Sequence, residues 1–196
     1  MSNNIELIEI DEIITSQLEL IDDKLSKIEF EEICEFKLND INSETTILNE
    51  LDYRGIYLIE IKRDTLQDYT EWIDLFTKKF RGIEGDEKKF LHKFTPNVIE
   101  KRKYKHKEKN EEWIPFYIGK SKKIRSRVKI HLFSTLGKPP FALKLKERNI
   151  DGINVLGDET FKLKTIKVVD IKNYDVIVTH LEKQLRKKHN PIVGKQ

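Results

Sequence analysis

The chain has 196 residues, enough for one well-buried core with additions and too few for three independent domains. Its hydrophobic share of 38% and charged share of 36% still leave enough Ile, Leu, Val and Phe to exclude wholesale disorder. The single Cys34 excludes an internal disulfide, and no run approaches the roughly 18 apolar residues of a membrane span.

The net charge of +3 hides a division. Residues 1–50 carry 3 Lys+Arg against 14 Asp+Glu, a balance of −11, and residues 51–196 carry 34 against 20, a balance of +14. A basic body favours polyanions such as nucleic acid through phosphate neutralisation, although a Lys-rich surface can also serve solubility alone. The opening MSNNIELIEID is acidic where a secretory leader would be basic, so the expected compartment is the cytoplasm.

From the N-terminus, Ile14, Leu18, Ile21, Leu25 and Ile28 follow helical steps of four and three, a stripe that either packs on the body or forms a dimer seam. EFKLNDINSET at 35–45 reads as a turn-rich connection. GIYLIEI at 55–61 is β-branched and aromatic, and reads as a strand. LQDYTEWIDLFTKKF then sets Leu66, Tyr69, Trp72, Ile73, Phe76 and Phe80 on one helical face before Gly82. A short helix is expected over 86–94, cut off by Pro96. KRKYKHKEKNEEW at 101–113 is almost wholly charged and reads as a solvated loop or a basic arm that contacts DNA. PFYIGK at 115–120 is a second strand, and Ser121 is placed to cap a helix running to Gly137. A short helix near 141–148, a turn at DGINVLGDE, a strand over 161–171 and a helix from Asn173 to Pro191 complete the chain.

Arg127 and His131 are four apart on one helix and share a face, a permanent cation beside a titratable group. Tyr57 and Tyr117 lie mid-strand, where core packing is the ordinary role and ligand contact the sharper one. Glu182 sits at the rim of an apolar helix face, four residues before Arg186, which can simply pair with it. Phosphodiester hydrolysis needs such a set: a carboxylate for a divalent ion, a cation on the phosphoryl oxygens and a base for water.

GIY at 55–57, FYIG at 116–119, Arg127 ten residues after the second tyrosine, His131 one turn on, and a late LExxL helix closing with Pro191 together resemble the GIY-YIG nuclease family, over roughly residues 51–194. The resemblance implies an α/β fold with a small mixed or antiparallel three-stranded central sheet flanked by helices. The nuclease-like domain would span 51–196, with an acidic N-terminal helical extension over 1–50 and a largely helical insertion over 64–113. It implies that Tyr57 positions or deprotonates the attacking water, that Tyr117 holds the phosphate and water network, and that Arg127 stabilises charge on the scissile phosphate. His131 would stand near the water or the base, and Glu182 would bind Mg²⁺ or Mn²⁺ with waters completing the shell. Lys120, Lys122, Lys123 and Arg125 flank these positions and are expected to meet DNA phosphates.

Two features depart from the family pattern. Gly194 stands three residues after the helix-ending Pro191, where the family carries Asn, with Asn190 as a stand-in; and about 60 residues separate the two motif strands instead of about ten. The expected function is a divalent-metal-dependent DNA endonuclease of restriction type, with a homodimer left open by the N-terminal stripe. The alternatives are a nucleic-acid binder without turnover, a repair or mobile-element nuclease, and a regulatory protein working through its acidic head.

Overall fold

The computed structural model describes residues 2–42, 46–81, 93–109, 111–150, 153–154, 156 and 158–194. In chain order its main elements are α1 (Ser2–Ser26), β1 (Glu31–Lys37), β2 (Gly55–Lys62), α2 (Tyr69–Arg81), β3 (Asn97–Val98), α3 (Glu100–Lys103), β4 (Trp113–Ser121) and α4 (Ile124–Phe133). They are followed by β5 (Asn149–Ile150), β6 (Ile153–Asn154), β7 (Thr160–Lys167), α5 (Tyr174–His189) and β8 (Val193–Gly194).

GIYLIEIK is buried along seven of its eight positions, as suits a strand flanked on both sides and covered on both faces. It is one of two inner strands of a four-stranded antiparallel sheet ordered β1-β7-β2-β4. The three strands β7-β2-β4 are joined by β1 at the far edge, one strand more than expected. β1 overlaps the expected connection 35–45 at its first three residues; its exposed Glu32 and Glu35 are tied to Lys162 of β7 at 2.9 and 3.1 Å. The first fifty residues are therefore not helical throughout.

The sheet separates two apolar layers. Tyr57, Ile59 and Ile61 project to one side with Phe116, Tyr117, Phe161 and Leu163, against α2 and α4. Ile56, Leu58, Ile118 and Ile166 project to the other, against Val178, Leu181 and Leu185 of α5 and Leu25 of α1. Between Ile59 and Glu60 the β2–β4 register shifts, so that Ile59 faces Tyr117 and Glu60 faces Pro115. Phe116 is the extra residue of this bulge, which lets two consecutive aromatics, Phe116 and Tyr117, enter the same layer.

The helices follow their sequence signals with local differences. α2 starts after Asp68, whose carboxylate accepts from the Thr70 N–H at 2.7 Å, and it buries Tyr69, Trp72, Ile73, Phe76 and Phe80. Leu66 lies before the helix and is exposed. α4 ends at Phe133, short of Gly137, and Lys123 occupies its N-cap while the Ser121 hydroxyl accepts from the Lys123 N–H at 3.0 Å. Residues 141–148 form only a 3₁₀ turn at Lys146–Arg148. α5 runs from Asn173 to a left-handed Asn190 before Pro191. The last part of α1 and the turn after it pack on α5 through Ile21, Leu25 and Ile28, with Asp22 bonded to His180 at 2.6 Å, while Ile14 and the apolar residues before it are exposed.

Most described residues of the charged run 101–113 are exposed, but two are built into the body. Lys103 is buried and paired with Asp74 and Glu100, each at 2.9 Å, and buried His106 bonds the Asn190 carbonyl at 3.0 Å and Glu111 at 3.3 Å. Short β3 pairs with β8, fastening this segment to the end of the chain. The helix expected over 86–94 falls mostly outside the described residues, as does Gly82. Among the described residues no helix is long and apolar enough to cross a membrane.

Candidate active site

Glycine is required at both motif strands for reasons visible in the sheet. At Gly55 a Cβ would collide with the Ile166 carbonyl of β7, so any side chain there would separate β2 from its neighbour. Gly119 lies directly across from Tyr57, and the phenol rests on the space a side chain would take. A Cβ at 119 would stand 2.6 Å from Tyr57 Cζ and 3.0 Å from Tyr117 Cε1.

Tyr57 is 1% exposed, Tyr117 6% and His131 0%, and their rings form one cluster with centroids 4.9 to 6.2 Å apart. Tyr57 Oη lies 2.7 Å from His131 Nε2, while His131 Nδ1 accepts from the Leu143 N–H at 3.0 Å. A backbone N–H can only donate, so Nδ1 is unprotonated and the neutral ring carries its proton on Nε2. His131 therefore donates to Tyr57, and the phenol is free to direct its own proton elsewhere. Burial first, and the Arg127 charge second, hold the His131 pKa well below the ordinary histidine value, in keeping with this tautomer. Burial likewise raises the Tyr57 pKa, with Tyr117 adding to the effect and Arg127 opposing it.

Arg127 is half-buried on α4, and its guanidinium donates to the Phe141 carbonyl at 2.8 Å. Glu182 comes from α5, which covers the opposite face of the sheet. Its side chain is 12% exposed, with Oε1 2.8 Å from Arg186 and Oε2 3.9 Å from Lys120. Arg186 also donates to the Ile118 carbonyl at 2.9 Å, fixing its position on the outer side of β4.

These residues meet because β4 is an edge strand. A cavity of about 370 Å³ wraps that edge at Gly119 and is lined by Tyr57, Tyr117, Lys120, Arg127, Glu182 and Arg186, with Phe141 beside them. Four of the five expected catalytic residues thus border one space, and His131 stands behind Tyr57. Of the four residues expected to meet phosphates, only Lys120 lines it. Lys122 is paired with Asp175 at 2.9 Å, Arg125 donates to Asn49 at 2.5 Å, and Lys123 is exposed at the start of α4.

Sequence reasoning treated Arg186 only as a partner for Glu182 and missed Phe141; the first was signalled by i,i+4 spacing, the second by nothing local. Asn190 does not serve the cavity, since its amide donates to the Lys187 carbonyl at 3.1 Å. Gly194 is engaged with Asn97 in the β3–β8 pair.

A metal at this site would have one carboxylate. Among the described residues no three His, Cys, Asp or Glu side chains converge as a metal cage. Among the described residues Oε2 of Glu182 has only a long contact to Lys120, and the space beside it is large enough for a hydrated ion. That donor set fits magnesium or manganese retaining most of its waters. In comparisons with protein-family models, curated proteins and solved structures, nothing matches this chain.

Proposed function

We propose that the protein is a divalent-metal-dependent endonuclease of the GIY-YIG type, acting on DNA. The observation that carries this reading is the convergence of Tyr57, Tyr117, Arg127 and Glu182, from four separate elements and both faces of the sheet, on one cavity at the β4 edge. Core tyrosines and a solvated glutamate would have no reason to share one polar space.

Glu182 would hold the hydrated cation, with Arg186 fixing the carboxylate through Oε1. When bound, the ion supplies Lewis-acid polarisation of a phosphoryl oxygen. Arg127, held by the Phe141 carbonyl, offers its remaining N–H groups to the charge that grows on the phosphate. Tyr57, receiving a hydrogen bond from His131, faces the attacking water. As a phenolate it would take the water's proton, its charge stabilised by His131 Nε2–H and Arg127. Tyr117 packs against His131 and borders the same space, which limits how the phosphate and water can sit. His131 positions Tyr57 and does not meet the substrate.

A restriction-type role suits a chain in which Lys101, Arg102 and Lys105 of the insertion line a cavity that shares Arg186 with the site, where a target could be read. Supercoiled plasmid incubated with Mg²⁺ or Mn²⁺ tests hydrolysis, and sequencing the ends of a genomic digest tests the role. Termini at one repeated sequence support restriction; scattered or structure-dependent nicks favour repair or mobile-element processing. Glu182→Ala should abolish cleavage with folding and binding largely retained, and full nicking by that variant would refute the assignment.

A second reading, a nucleic-acid binder without turnover, is favoured by one observation. Neither Gly194 nor Asn190 offers the cavity the amide that the family pattern carries. A mobility shift without new ends in the plasmid assay would establish it.

A further inference from the structure

Beside the candidate site lies a second and larger cavity, of about 650 Å³, whose wall includes Lys101, Arg102, Lys105, Arg186 and Lys187 against the one carboxylate of Glu100. Glu100 is already 2.9 Å from Lys103. Arg186 borders both cavities. Arg102 is half-buried, and among the described residues no carboxylate is ion-paired with it. Burial and the neighbouring Arg186 charge both lower its pKa, as is usual for two guanidinium groups that face a common space. Arg186 meets Glu182 at 2.8 Å, but the half-buried guanidinium groups of Arg102 and Arg186 line one space with exposed Lys101, Lys105 and Lys187 around it, a concentration of positive charge that an anion would relieve.

The backbone that carries Lys101, Arg102 and Lys105 is anchored. α3 is anchored by Lys103 to Asp74, the following turn by His106 to the Asn190 carbonyl, and the strand before it by the β3–β8 pair. Lys101, Arg102 and Lys105 belong to the segment inserted between the motif strands, so this part of the insertion presents a basic wall to α5.

We propose that this second cavity is a phosphate-binding site for the nucleic-acid backbone flanking the phosphate held at Tyr57, Arg127 and Glu182, with Arg186 as the link between the two. The identity of the strand rests on the nuclease reading; the anion site itself does not. Its ligand is a phosphodiester, contacted without base readout.

The test is binding of a fluorescent DNA duplex, measured by anisotropy without divalent metal over a range of salt. Lys101→Ala/Lys105→Ala removes two exposed cations with little risk to folding. It should lower the slope of log K against log salt by about 1.8, so that the wild type loses about 12-fold more affinity than the variant between about 50 and 200 mM salt. Arg102→Ala should lower the slope further and Arg102→Lys restore part of it, each with thermal unfolding close to wild type. Lys24→Ala/Lys27→Ala, an equal loss of charge at the C-terminal end of α1, should leave the slope unchanged.

Unchanged slopes in the Lys101, Lys105 and Arg102 variants overturn the proposal, as does an Arg102-dependent response to millimolar inorganic phosphate unaccompanied by any slope change, which would indicate a free-phosphate site. Reduced slopes in a protein that cuts no DNA would support the site and refute the nuclease reading. Cleavage with unchanged slopes would do the reverse.

Discussion

Gly119→Ala isolates the geometry on which the site depends, because it adds one methyl group and changes no charge. Its Cβ would meet Tyr57 Oη first and lie 2.6 Å from Tyr57 Cζ, where ordinary contact begins near 3.4 Å, so the phenol must retreat by at least about 0.8 Å or the strands must part. The ring has no free direction of retreat, since Tyr57 is 1% exposed and its hydroxyl is bonded to His131, itself fully buried and fixed by the Leu143 N–H. Overpacking of this kind costs about 1–3 kcal/mol, or roughly 2–12 °C in Tm for a chain of this size. A displacement approaching 1 Å in a reacting group lowers turnover by about 10²-fold. Thermal unfolding and the single-turnover rate on a duplex substrate, measured on one preparation, read both effects. A Gly119→Ala protein with wild-type Tm and wild-type cleavage would show that the Tyr57 position is not as tightly set as the packing demands.

Arg127→Ala should reduce the cleavage rate by at least about 10²-fold while changing duplex affinity by less than about tenfold, because its stabilisation grows with charge in the transition state; an effect confined to affinity would remove it from catalysis. If Tyr57 takes the proton from water, its raised pKa leaves little phenolate at neutral pH, so log(kcat/KM) should climb by about one per pH unit and show no plateau through about pH 9. A flat profile from pH 7 would assign that proton to another group. Stability should also depend on pH through His131. Its folded-state pKa is depressed, so as pH falls below the unfolded value of about 6.5 the unfolded chain gains a proton that the folded chain refuses. Stability present above that pH is then lost at up to about 1.4 kcal/mol per pH unit, and urea unfolding of His131→Phe should lack this component of the slope.

Much of the site was legible because its signals are short-range. The two glycine-containing tripeptides each record a steric demand within the sheet, and Arg127 and His131 are one helical turn apart. What escaped notice depends on partners distant in the chain. The strand EEICEFK has no clean alternation, because it is an edge strand whose glutamates are matched by Lys162 more than a hundred residues later. The run KRKYKHKEK looks solvated until Lys103 meets Asp74 and His106 meets the Asn190 carbonyl. Phe141 orients Arg127 through its backbone carbonyl, which any residue type could supply. Glu182 was identifiable as a carboxylate at a helix rim, but its reach around an edge strand is a property of sheet order that local pattern does not encode.

The bulge at Phe116 acts as a ratchet pawl for the whole catalytic assembly. A slip of β4 by a single residue against β2 would turn Tyr117 toward α5 and bring Ile118 to the phenol side, dismantling the site while leaving the number of backbone hydrogen bonds almost unchanged. Deleting one residue from β4 should therefore yield a protein that retains its strands and has lost its chemistry.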